Sequence, residues 1–107
     1  MSRSKSARRR QRLAKFQDSR CFLCGDPLGI EDGGLDAPST HHFIPLSKGG
    51  PRNALVNQVV AHRRCNQMIG DRMPTREEWM WYLRIMWARG FLAMEEDTEQ
   101  MSRNISE

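Results

Sequence analysis

Residues 57–72 read NQVVAHRRCNQMIGDR. The apolar stretch from Leu55 to Val60 predicts a short strand. From Arg63 to Ile69 the residues suit a helix, and Gly70 ends it. Where the strand gives way to the helix stands a His-x2-Cys pair, His62 and Cys65. A tight turn at that spacing aims both side chains at one point. Asn57 and Asn66 are the polar residues set at either end of the segment.

A matching pair lies upstream. CFLCG at 21–25 gives Cys21-x2-Cys24, with 37 residues between Cys24 and His62. Four thiolate or imidazole ligands in two close pairs suit tetrahedral zinc. Closing so long a loop on an ion turns binding energy into folding energy. The need is physical: in 107 residues only 38% are apolar, so the core is thin and wants a staple. Three cysteines, an odd number, argue against a disulfide framework, and zinc uses all three. His41 is an alternative fourth ligand, although the x2 spacing of His62 speaks against it.

Between the pairs, residues 25–39 hold four glycines and two prolines and read as a loop. Residues 41–50 follow as HHFIPLSKGG. A strand is expected from Ser39 to Leu46, and Ser47 to Pro51 supply turn residues, giving two strands around a long turn. Consecutive strand residues point to opposite faces, so His41 and His42 do not share one job. Either one of them faces a second ion, with Asn57 and Asn66 as polar candidates, or both are ordinary half-exposed strand residues. Spacing leaves both readings open.

Taken in order, CFLCG, HHFIPLSKGG and NQVVAHRRCNQMIGDR resemble the HNH endonuclease family. The resemblance covers residues 21–72 and implies an α+β, ββα-metal fold around a structural zinc at Cys21, Cys24, His62 and Cys65. It implies a divalent-metal-dependent DNA endonuclease hydrolysing phosphodiester bonds with one catalytic ion, Mg2+, Mn2+ or Ni2+. By position, His41 and Asn66 resemble the ligands of that ion. His42 resembles the general base, and Asn57 the residue that orients it. Histidine suits the base because its unperturbed pKa lies near the operating pH. Many members carry Cys in place of His62 and Asp in place of His41. An imidazole at His41 brings no negative charge, which shifts metal preference toward softer ions. A Lys common before the helix-ending glycine is Ile69 here, one phosphate contact fewer. Family habit also places such a nuclease in phage, restriction or mobile-element systems.

The flanks carry charge and apolar surface. Residues 1–20 hold eight Lys/Arg against one acid, and the remaining 87 hold nine against twelve. The positive charge is therefore an arm, fit for phosphates or simply solvated. Residues 1–6 are expected to lack structure, and residues 7–17 to form a basic helix anchored by Leu13 and Phe16. Arg8, Arg9 and Arg10, with Lys48, Arg52, Arg63, Arg64 and Arg72 around the site, are the candidate DNA contacts. Such contacts position a duplex without reading its sequence. Thr75 and Glu78 form a capping box opening a helix that runs to Gly90. Its residues from Trp79 to Trp87 are apolar on nearly every face, so it packs on the core or forms a dimer or larger assembly. The expected division is 1–20 basic arm, 21–72 nuclease core, 73–93 apolar helix and 94–107 acidic flexible tail. No apolar leader and no bilayer-length run is present, so the expectation is a cytoplasmic protein with reduced thiols and no membrane. The other function class open to this sequence is a zinc-stapled nucleic-acid-binding module without catalysis.

Overall fold

The computed structural model describes residues 4–91. Arg3 and the acidic tail expected at 94–107 lie outside the described residues. The order is α1 (Lys5–Ala14), β1 (Pro38–His42), β2 (Gln58–His62), α2 (Arg63–Ile69) and α3 (Arg76–Ala88). The two strands form one antiparallel ladder in which Pro38 faces His62 and His42 faces Gln58. With α2 following β2 directly, this is the mixed α+β arrangement of the ββα-metal fold. Among the described residues no helix is long and apolar enough to cross a membrane.

The helix α2 has the bounds its sequence predicts. Both strands are displaced from the expectation. The first stops at His42 rather than Leu46 because Asn57 takes over the pairing of Ile44. The Asn57 amide accepts from Ile44 N–H at 2.7 Å and donates to the Ile44 carbonyl at 3.0 Å. One side chain thus replaces a stretch of ladder, and Pro45 has no N–H to continue it. On the second strand, residues Leu55–Asn57 curl into a 3-10 turn, so extended chain begins only at Gln58.

The loop between the strands is tied by its glycines. Gly49 has φ +93°, in the left-handed region that glycine enters without steric penalty. A Cβ on Gly50 would lie 1.9 Å from the Ile44 carbonyl oxygen and 2.8 Å from Asn57 Nδ2. Glycine at 50 is therefore what lets this loop pass so close to its own backbone.

Three apolar clusters hold the layers. Phe22, Phe43, Val59, Ile85 and Met86 form the largest, joining α3 to the sheet. Tyr82 stacks on Phe43 at 3.9 Å and Trp81 on Phe22 at 5.1 Å. Fully burying such side chains contributes roughly 1.5–3 kcal/mol each. The face of α3 carrying Trp79, Met80, Leu83 and Trp87 is exposed.

On the other side, Leu13 and Ala14 of α1 pack against Val60. Phe16, expected as an anchor, is 44% exposed; its place is taken by Ala14 and Ala7. Residues 4–6, expected without structure, begin the helix: Ser4 Oγ caps it by accepting from Ala7 N–H. Gln17 then inserts its amide beside β2, donating to the Val60 carbonyl and accepting from Val60 N–H. With Phe22 N–H, which also donates to the Val60 carbonyl, that pair of bonds covers this edge of β2 as a neighbouring strand would.

Candidate metal centre and catalytic cleft

The ligand atoms of Cys21, Cys24, His62 and Cys65 all lie within 4.8 Å of one another. His62 Nδ1 is 3.4 Å from Cys24 Sγ and 3.8 Å from Cys65 Sγ. These are edge lengths of a tetrahedron with zinc–ligand bonds of about 2.0–2.3 Å. His62 Nε2 donates to the Pro27 carbonyl at 2.9 Å, which fixes the tautomer and leaves Nδ1 free to ligate. His41 is not in the group, so the alternative fourth ligand is set aside. These four residues could hold a zinc ion.

Thiol chemistry agrees with that use. Burial works against ionising Cys21, but the N–H groups of Cys24, His62 and Leu23 aimed at its sulfur outweigh it and lower its pKa. Burial, with the Cys21 charge beside it, pushes Cys65 up to about 12. Crowded sulfurs without an ion keep protons that a zinc ion would displace.

Directly after Cys65, on the same first turn of α2, stands Asn66. Its Nδ2 donates to Ser39 Oγ at 2.8 Å and to the Thr40 carbonyl at 3.0 Å. That leaves Oδ1 as an acceptor, 2.9 Å from His41 Nδ1. An amide oxygen only accepts, so Nδ1 carries the proton and donates to it, and the ring's lone pair lies on Nε2. Burial holds the His41 imidazole below its ordinary pKa, against the opposing pull of the Asn66 bond. A neutral ring has the lone pair that a metal needs.

His42 is the last residue of β1. Its Nε2 lies 2.9 Å from the Arg52 carbonyl oxygen. A carbonyl only accepts, so Nε2 carries the proton and Nδ1 is left as the acceptor. Asn57 does not reach the ring. Its amide bonds run to Ile44 and to the Pro51 carbonyl at 3.1 Å, bracing both ends of the loop that presents Arg52. The orienting bond expected on the base is therefore indirect.

An open cleft of about 240 Å³ gathers His41, His42, Pro45, Leu46, Ser47, Asn66, Gly70 and Asp71. Sequence reading singled out His41, His42 and Asn66. It missed Asp71, which accepts from Ser47 Oγ at 3.1 Å, and Ser39, which holds Asn66. No spacing rule marks either residue, because each acquires its neighbour through the fold.

The candidate DNA contacts divide into two groups. Arg10 forms a two-pronged pair with Glu31, Arg64 pairs with Asp36, and Arg72 with Glu78. Arg63 donates to the Gly33 carbonyl. Arg8, Lys48 and Arg52 are exposed and Arg9 half-buried.

Among models of known protein families, the one described as HNH endonuclease matches residues 21–72. No curated protein matches the chain.

Proposed function

Since residues 21–72 belong to the HNH endonuclease family, we propose that the protein is a DNA endonuclease that hydrolyses phosphodiester bonds with one divalent ion and His42 as general base. The observation that carries this reading is the His41–Asn66 pair, 2.9 Å apart, lining the same cleft as His42. A divalent ion held by His41 and Asn66 would supply Lewis-acid stabilisation of the phosphate charge and of the leaving oxygen. Mg2+, Mn2+ and Ni2+ are the candidate ions.

His42 takes a proton from the attacking water at Nδ1, its Nε2 being committed to the Arg52 carbonyl. Asn57 keeps that carbonyl in place by bracing the loop. His41 and Asn66 are both uncharged ligands, so they leave an ion's positive charge for the substrate. Asp71 is the one carboxylate among the described residues lining the cleft, which favours a single ion over a two-ion scheme. Exposed Arg8, Lys48 and Arg52 are the cations best placed to grip phosphates, while Arg10, Arg64 and Arg72 would have to exchange partners first. Contacts of this kind act alike on any sequence, so the expected activity is nicking or weakly specific cutting.

The test is a supercoiled-plasmid assay of wild type and His42→Ala with magnesium, manganese, nickel or EDTA. Wild type should nick with at least one ion and stop in EDTA. His42→Ala should lose roughly 100-fold or more in rate, the usual contribution of a general base. A variant that cuts at the wild-type rate overturns the role of His42. Binding without cleavage in every lane would make the chain a zinc-stapled binding module instead.

A further inference from the structure

Gln58 opens β2 and stands directly opposite His42 in the ladder. Its side chain is 3% exposed, a deep position for an amide. Nε2 donates to the Arg52 carbonyl at 3.0 Å. That is the same oxygen to which His42 Nε2 donates at 2.9 Å. The Arg52 carbonyl thus accepts two bonds, one from the base and one from Gln58, and its direction is set by both. The peptide carbonyl of Gln58 is itself held by Arg89 Nη1 at 2.6 Å, reaching in from the end of α3.

Packing alone does not account for this amide. Gln58 Oε1 is buried and has no hydrogen-bond partner among the described residues. An unmet buried acceptor costs about 1–3 kcal/mol. A methionine would fill much the same space without that penalty. The amide is therefore retained at the expense of stability, and the one bond it makes goes to the acceptor that fixes the base.

We infer that Gln58 is a positioning residue for the proposed reaction: by sharing the Arg52 carbonyl with His42 it locks the imidazole in its Nε2–H tautomer and so keeps Nδ1 available for the water proton. The inference rests on the reading of His42 as general base. It also gives α3, which lies outside the family match, a part in the site through Arg89.

The experiment uses the full zinc-loaded chain as wild type, Gln58→Met, Gln58→Glu and His42→Ala. Side-chain nitrogen NMR of His42, without DNA at pH 8, reports the tautomer. Plasmid nicking with the best ion reports kcat and KM. Wild type should show a single Nε2–H tautomer. Both Gln58 variants should show mixed tautomers and a kcat lower by roughly 10-fold, with KM within about twofold because the buried residue does not touch DNA. Glu has the shape of Gln but no amide donor, so it keeps the test available if Gln58→Met does not fold. Unchanged tautomer and kcat in the variants overturn the inference, even where the melting temperature falls. If His42→Ala cuts normally, the base assignment fails. If it is dead while the Gln58 variants are fully active, only the role of Gln58 fails.

Discussion

At the scale of the residue, His41 has the most chemical leverage. It is buried, held below its ordinary pKa and paired with an amide oxygen, so the two proposed ion ligands bring no negative charge. Replacing it by aspartate adds a hard anionic ligand at the same point of the strand. His41→Asp is expected to raise magnesium-supported nicking relative to nickel-supported nicking by roughly 10-fold, following ligand softness. The ratio of initial rates in the two ions checks it; an unchanged ratio removes His41 from the ion. The residue scale also shows what the sequence withheld. His62 and Cys65 were legible because ligand spacing is a local property. Gln17, Gln58 and Arg89 were not, because a glutamine amide or an arginine fork has no period and no motif. Each gains its role only when the fold brings a distant carbonyl within 3 Å.

Among the elements, α3 has the start signal with the most explicit side-chain chemistry. Thr75 Oγ1 accepts from Glu78 N–H at 3.2 Å, and Glu78 accepts from Thr75 N–H at 3.0 Å. Thr75→Ala should destabilise the protein by about 1 kcal/mol, read as a lowered denaturant midpoint. The box also depends on pH. Burial works against ionising Glu78, but Arg72 and the Thr75 N–H outweigh it and hold its carboxyl below the ordinary value of 4.5. The folded form thus releases this proton more readily than the unfolded chain. Its stabilisation is complete above that ordinary value and fades as pH falls through the lowered one. Thermal melts at descending pH should show the gap between wild type and Glu78→Gln narrowing in that range. The strands were harder to read. Their apolar runs were visible, but both were placed too near the loop, since nothing local reveals that Asn57 has replaced a ladder partner. The zinc pairs, α2 and α3 needed no such knowledge.

For the whole molecule the decisive question is whether the four-residue cluster that could hold zinc is occupied. Structural zinc contributes roughly 10–16 kcal/mol in small domains. Net stabilities are about 5–15 kcal/mol. A chain with three small apolar clusters therefore should not survive without its zinc. A strong chelator is expected to abolish the cooperative melt and the near-UV signal of Trp81 stacked on Phe22. A melt unchanged after the metal is stripped overturns a structural zinc. Acid acts in the same sense. Burial and the neighbouring Cys21 charge push the Cys65 thiol up to about 12, so an ion binding there would have to displace its proton. Affinity should rise about tenfold per pH unit for each proton displaced, as competition with a coloured chelator between pH 6 and 8 will report. α1 is joined to this whole as well: the positive charge read as an arm is a helix docked on Val60, with Arg10 held by Glu31.

Cys65 and Asn66 are consecutive residues on one turn of α2, the first facing the sulfur cluster and the second facing His41. A single peptide link thus joins the group that could hold zinc to the proposed catalytic pair. An oxidant that modifies the exposed Cys24 would remove one of the four candidate zinc ligands, and the expected disturbance lies one residue away from Asn66 along the chain, at Cys65. The cysteine cluster and the proposed ion pair thus share one turn of α2, and disorder in the first is expected to cost the second its alignment.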